Sequence, residues 1–276
     1  MTLTAPPPVL DSGTQALTCY QALAPAYDEL TAAYRHDRWL AALERLAVEH
    51  GLAGRQVLDV ACGTGKSFVP LLDRGYDVTA CDISPGMVEV AKARHPEGRV
   101  FVADMRELPP FGSYDLVTCL DDAVNYLLDP ADLDLALAAM AGALRPGGLL
   151  LFDANTLHTY RTAFATDTVS ESAERLFCWR GEGDGSPRAG GLNAAMVEVF
   201  TRSVDGFWSR VRSHHRQRHH PLSEITDSIA RANLERRAVL GQTPGARLHP
   251  DPDEDRHTKL VFLAQRPKED HVIAVP

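Results

Sequence analysis

Apolar positions along the chain change their period twice. Between Tyr20 and Tyr34 they recur at alternating three- and four-residue steps (Tyr20, Leu23, Tyr27, Leu30, Tyr34), one stripe of a helix that Pro25 interrupts near its start. A second amphipathic helix runs through Trp39, Leu40, Leu43, Leu46 and Ala47 and stops at Gly51. From Gln56 onward the pattern becomes short apolar runs separated by helical stretches. QVLDVA, DVTACD, RVFVAD, YDLVTCL and GLLLFDA read as strands, and KSFVPLLDRG, SPGMVEVAKARH and DLDLALAAMAGAL as helices, with Ser84 placed to cap the second of these and Pro85 at its first position. Such alternation predicts a parallel sheet with helices on both faces and every strand's C-terminal end on one edge, where ligands bind in open sheets.

After Ala154 the alternation stops. AMVEVFTRSVDGFWSRVRSHH reads as two strands joined through Asp205-Gly206, PLSEITDSIARANLE as a helix, and ERRAVLG and HTKLVFLAQR as two last strands. The stretch QTPGARLHPDPDEDR between them is too polar and proline-rich to predict as ordered. The divisions expected are a flexible arm over 1–18, a helical lid over 19–54, a ligand-binding core over 55–155, a β insert over 156–220, the C-terminal part of the sheet over 221–268, and a tail over 269–276. No internal repeat is present.

Composition narrows the class. With 28 Lys+Arg against 37 Asp+Glu the net charge is −9, which argues against a nucleic-acid binder whose phosphate contacts need a basic face. No apolar run approaches the ~18 residues of a membrane span, and MTLTAPPPVL lacks the basic start and apolar stretch of a signal peptide. Cys19, Cys62, Cys81, Cys119 and Cys178 are odd in number and lack the close pairs of a zinc or redox motif. A cytoplasmic monomer or homodimer with no metal, no membrane and no nucleic-acid partner is expected.

The most informative segment is Val57 to Gly65, VLDVACGTG. Gly65-Lys66-Ser67 matches the end of a phosphate-binding P-loop, but Val60 stands where its first glycine belongs. The dinucleotide fingerprint matches at Gly63 and Gly65 and fails at Phe68, and it leaves Asp59 beside a pyrophosphate it would repel. A ligand with a cationic amino-acid end, an adenosine end and no phosphate uses all these residues. Gly63 and Gly65 let the backbone approach it, Asp82 can accept from two ribose hydroxyls, and Asp104-Met105 offer an acceptor and a soft wall to the base. Taken singly, Asp59 reads equally as a buried structural carboxylate, and Met87 and Met105 as core.

VLDVACGTG, VTACDISPGMVEVAK, VFVADMRELP, YDLVTCLDDAVNYL and LRPGGLLLFDANT together resemble the successive motifs of class I S-adenosylmethionine-dependent methyltransferases, over about residues 55–155. The resemblance implies an α/β fold with that family's seven-stranded Rossmann-like sheet, and S-adenosylmethionine over the strand ends. By motif position it places Asp59, Ala61, Gly63 and Gly65 on the methionine side, Asp82 at the ribose, and Ile83, Met87, Asp104 and Met105 at the adenine. Leu120 then lies near the cofactor's backbone side, and Tyr27 in YDEL resembles the residue that closes over the methionyl end. The layout is most similar to bacterial small-molecule N-methyltransferases acting on amino sugars, amino acids and secondary metabolites.

The acceptor is expected under the lid and insert, with Met196, Val199, Phe200, Phe207 and Trp208 as wall or packing residues. Candidates for taking a proton are Tyr20, Asp121 with its neighbour Asp122, Tyr126 and His158. Each also has a plain reading, as cap, core hydroxyl or loop histidine. His214, His215, His219 and His220 read as surface histidines, or as groups near the acceptor, rather than as metal ligands. The basic run RVRSHHRQRHH reads as a charged strand edge or an attractor of an acidic substrate group. Rival readings are C- or O-methylation of an aromatic metabolite, an NAD-dependent oxidoreductase, and a partner-binding fold without activity.

Overall fold

The computed structural model describes residues 11–34 and 36–268. The chain opens with α1 (Ser12–Leu23), α2 (Tyr27–Leu30) and α3 (His36–Glu49). It continues through β1 (Gln56–Val60), α4 (Val69–Asp73), β2 (Asp77–Asp82), α5 (Pro85–Arg94), β3 (Arg99–Val102), β4 (Tyr114–Cys119), α6 (Pro130–Ala143) and β5 (Leu144–Asn155). Then follow α7 (Leu157–Thr162), β6 (Asp167–Glu171), β7 (Arg175–Gly181), β8 (Leu192–Arg202), β9 (Trp208–Arg218), α8 (Leu222–Arg231), β10 (Glu235–Thr243), β11 (Arg247–His249) and β12 (Lys259–Gln265).

Among the described residues the large sheet has eight strands in the order β11-β10-β12-β5-β4-β1-β2-β3. From β3 to β5 all neighbours are parallel, and β12 runs antiparallel to both β5 and β10. The chain reverses its order between β1 and β4, so a crevice opens at their C-terminal ends. The expected seven strands are joined by an eighth because part of the stretch predicted as unordered folds into β11, which pairs with β10 from Gly241 to Thr243. Two buried layers flank the sheet, one around Leu137, Met140 and Phe152 and the other around Trp39, Leu43 and Leu151. Ser84 caps α5 through Met87 N–H as the sequence predicts.

A second, four-stranded antiparallel sheet, β6-β7-β8-β9, covers the strand ends. Strand parity decides its faces: Ala195, Val197 and Val199 are buried, whereas Met196 and Phe200 are only partly so and the tip residues Phe207 and Trp208 are exposed.

The expected flexible arm is corrected for residues 12–18, which belong to α1; residues 1–10 and the tail 269–276 lie outside the described residues. The segment has no long apolar stripe, and polar contacts dock it instead. Asp11 caps the helix, the hydroxyl of Ser12 accepts Leu128 N–H at 2.9 Å, and Gln21 Oε1 accepts from Ser84 Oγ and Gly86 N–H at 3.0 and 2.8 Å. Leu23 then packs with Ala26, Phe177, Val197 and Val199. Among the described residues no helix is long and apolar enough to cross a membrane.

Leu23→Ala should lower unfolding stability by about 2–5 kcal/mol, the range for truncating a buried leucine, and lower Tm by several degrees. Unchanged thermal melts would show that α1 is not part of the cooperative fold.

Candidate active site

The turn after β1 forms the floor of a cleft. Gly63 has a φ of +54° and Gly65 of +97°, left-handed values that favour glycine. A Cβ at Gly65 would come within 3.0 Å of the Phe68 ring, so Phe68, the residue that breaks the dinucleotide fingerprint, is the packing partner of this turn. Asp82, at the end of β2, accepts Gly63 N–H through one oxygen and Ser84 N–H through the other, each at 2.9 Å. Each oxygen keeps a second lone pair. Burial drives this carboxyl up to about 6, against the lowering effect of those two backbone bonds.

Ala61, Gly63, Asp82, Ile83, Met105 and Leu120 line the cleft, and Tyr20, Tyr27, Asp121 and Tyr126 close its inner end. Asp104 lies in the adjoining recess with Ser12, Gly13 and Ala16 of α1, its carboxylate bonded to Arg106. Three expected members stand elsewhere. Asp59 lies one layer below the wall, accepting from Ser67 Oγ at 2.5 Å and Thr118 Oγ1 at 2.6 Å, with burial raising it to about 6. Gly65 shapes the turn without reaching the cleft, and Met87 is fully buried on α5. The lid is tied to the turn by Lys66 Nζ, which donates to Asp28 O at 2.9 Å and Thr31 Oγ1 at 2.8 Å.

At Tyr20, Tyr27, His36, Asp121 and Tyr126 the cleft meets a second cavity of about 590 Å³. Its walls come from α1 to α3, the second sheet and the strand ends, and include Tyr34, Phe164, Trp179 and Val197. None of Met196, Val199, Phe200, Phe207 and Trp208 is in this wall; the hairpin contributes Val197 because that position faces inward. His158 is also corrected: Thr159 of α7 and Ala163 just after that helix line the cavity, and His158 is outside the wall.

The junction rests on unusual backbone. Asp121 and Asp122 both adopt left-handed φ, +60° and +51°, which non-glycine residues rarely do. Asp153, fully buried at the end of β5, accepts both their N–H groups, at 2.8 and 2.7 Å. Lys259 at the start of β12 places its ammonium 3.1 Å from Asp153, 2.9 Å from Asp122 and 3.6 Å from Asp121. Burial lifts Asp153 to about 6 despite Lys259. Burial also acts upward on Asp121, but Lys259 and His36 outweigh it and hold that carboxyl below its ordinary value. His36 Nε2 lies 2.7 Å from Asp121 Oδ2. The sequence reading missed His36, Lys259 and Gln217; a lysine opening the apolar strand KLVFLAQ was the available signal for one of them.

The histidines are not on the surface, apart from His214, which bonds Glu182 at 2.8 Å. His215 is buried with Nδ1 2.7 Å from the Tyr126 hydroxyl and Nε2 3.0 Å from Ser213 Oγ. His219 and His220 are buried beside Glu254 and Glu224. Among the described residues no group of His, Cys, Asp and Glu is arranged to hold a metal.

Residues 57–148 match the profile of the Methyltransferase domain family. With the fold above, this domain supports a class I S-adenosylmethionine-dependent methyltransferase, an enzyme. Among its relatives is YqeM of Bacillus subtilis (strain 168), named as a methyltransferase, 27% identical over 254 residues that cover 90% of this chain and 98% of the relative. An S-adenosylmethionine-dependent methyltransferase from Clostridium acetobutylicum ATCC 824 shares the fold with a TM-score of 0.74 at 23% identity, covering 90% of this chain and 99% of that one. The sugar N-methyltransferase KedS8 from Streptoalloteichus sp. ATCC 53650 does so with a TM-score of 0.72 at 22% identity, covering 97% and 99%.

Asp153→Asn keeps the size but leaves one carbonyl oxygen for two converging N–H donors. Urea unfolding should show a loss of about 1–3 kcal/mol, the usual penalty of an unsatisfied buried group; an unchanged midpoint would contradict the role given to Asp153.

Proposed function

We propose that the chain methylates the amine nitrogen of a small molecule, such as an amino sugar, an amino acid or a secondary metabolite. The observation that carries this reading is the junction itself. A cleft suited to the donor opens, past three tyrosines and a carboxylate, into an aromatic-walled cavity of about 590 Å³, a size that suits small ligands. The likeness to a sugar N-methyltransferase agrees with nitrogen as the acceptor atom.

The residues present fit the donor. Gly63 has no Cβ in the space facing Tyr27, Asp82 keeps acceptor capacity for two ribose hydroxyls, and Ile83, Met105 and Leu120 give apolar walls for the base and the thioether side. Asp104 offers an acceptor to the exocyclic amine, while Asp59 supports the turn from below. S-adenosylmethionine supplies, when bound, a methyl on a sulfonium that a nucleophile displaces in line. The chain's part is to align that nucleophile, exclude water and handle a proton. Tyr20 and Tyr126, ring centroids 5.2 Å apart, together with Tyr27, flank the place of transfer. Oxygen or carbon acceptors would call for a stronger base than Tyr126 with His215, since burial holds His215 down at about 4 and keeps it neutral.

Two measurements test this reading. Incubation with donor and a metabolite panel, with product NMR, should place the new methyl on nitrogen; a methyl found only on oxygen or carbon would overturn it. Asp82→Asn should weaken S-adenosylhomocysteine binding by roughly tenfold or more, because charge-assisted bonds are lost. The wild-type affinity should itself fall as pH drops through about 6, where the raised Asp82 carboxyl takes up a proton and loses acceptor capacity. The pH slope should be smaller in the variant. Equal affinities and equal slopes would remove Asp82 from the donor site.

A further inference from the structure

The cleft and the cavity meet at a ledge, Asp121-Asp122, where, among the described residues, carboxylates outnumber the lysine and arginine side chains paired with them. Three carboxylates, those of Asp121, Asp122 and Asp153, draw on the ammonium of Lys259. The ledge is held in a costly backbone conformation that points it at the cavity wall, and such conformations persist when the surroundings enforce them. Asp122 belongs to the acceptor cavity and not to the donor cleft, and its oxygens are fixed by Lys259 Nζ at 2.9 Å and Gln217 Nε2 at 2.7 Å. Excess negative charge in a partly buried site is unfavourable unless a cation meets it.

A second observation is independent of the carboxylates. His36 is more than nine-tenths buried and lines both cavities. Nε2 is engaged by Asp121, and Nδ1 is buried with no hydrogen-bond partner among the described residues. A buried polar atom left without a partner carries a penalty that a ligand N–H would relieve. The aromatic rings of Tyr20, Tyr27 and Tyr34 line the same cavity, and such rings attract a cation.

We propose that the acceptor enters as a protonated primary or secondary amine whose charge is received by Asp122 beside Asp121, and that His36 Nδ1 takes the proton the amine must shed. This inference rests on the N-methyltransferase reading and specifies the acceptor's charge state and its two recognition residues. Its balance is simple. Asp121 accepts the Nε2–H of a neutral His36, leaving the Nδ1 lone pair as the base. The ammonium passes one proton to Nδ1, and the imidazolium formed is stabilised by the Asp121 carboxylate at 2.7 Å. The freed amine lone pair forms the N–C bond while the C–S electron pair leaves with sulfur. Asp121 and Lys259 thereby act through position, and Asp122 by direct contact.

The test uses the full chain saturated with S-adenosylhomocysteine and a library of primary and secondary amines, each paired with its neutral hydroxyl counterpart (benzylamine with benzyl alcohol, glucosamine with glucose). Calorimetry should find binding confined to amines. Asp122→Asn, an exchange that left-handed backbone tolerates, should weaken that binding by roughly tenfold or more and leave S-adenosylhomocysteine affinity unchanged. His36→Gln should lower kcat by a far larger factor than it weakens amine binding, a split that a purely structural role would not give. Hydroxyl counterparts that bind as well as amines, amine binding indifferent to Asp122→Asn, or no amine bound at all would each overturn the proposal. An unchanged kcat in His36→Gln would remove the proton role. Methyl transfer to oxygen or carbon with amine binding still dependent on Asp122 would end the N-methyl reading while the cation site stands; N-methylation indifferent to Asp122 would do the reverse.

Discussion

The site depends on one buried carboxylate. Asp153 receives two backbone N–H groups from consecutive left-handed residues, and this convergence turns the chain sharply after β4. Without an acceptor there, Asp121 and Asp122 would have no compensation for their conformation. Asp153 is itself tolerable because Lys259 reaches it from β12, the strand that runs antiparallel beside β5. A residue near the C-terminus therefore fixes a turn in the middle of the chain. The antiparallel strand thus does more than complete the sheet: it carries the counter-charge on which the junction rests.

The glycine turn after β1 repeats this logic. Asp59 holds Ser67 and Thr118 beneath the glycine turn, and Asp82 ties that turn to the start of α5. In each case a carboxylate desolvated by the fold serves as the fixed acceptor for a loop that must keep one shape. The lid then docks on the fixed loops through Asp28 to Lys66 and Gln21 to Ser84. Closure over the cleft is consequently a matter of hydrogen bonds as well as apolar area.

Much of this was legible in the sequence, and the reason lies in which signal each element carries. The strands and helices from Gln56 to Asn155 announce themselves because the apolar period switches sharply between two and 3.6. The first turns of α1 do not, since Asp11, Ser12, Gln15 and Gln21 attach it by polar contacts that leave no period to read. In the hairpin the alternation was visible and its phase was not: which parity faces inward depends on how the insert sits on the lid, and Val197 rather than Met196 proved to point at the cavity. His219 shows the same limit, since its partner Glu254 is remote in the chain, whereas Glu224 stands only four residues beyond His220.

The two halves of the site differ in how far apart their residues stand in the chain. The cleft is built mainly from one run, between Ala61 and Tyr126, so its residues keep a fixed spacing and read as motifs. The cavity draws on Tyr20, His36, Asp122, Asn155, Trp179, Gln217 and Lys259, which share nothing in sequence and meet only when the second sheet and β12 close on the strand ends. Five residues belong to both, and among them Asp121 and Tyr126 follow β4 while Tyr20, Tyr27 and His36 come from the lid. The lid is thus the physical link between a cleft built from one run of sequence and a cavity assembled from distant residues. Because its helices supply a wall to each side, the shape of the cleft and the shape of the cavity depend on the same few side chains.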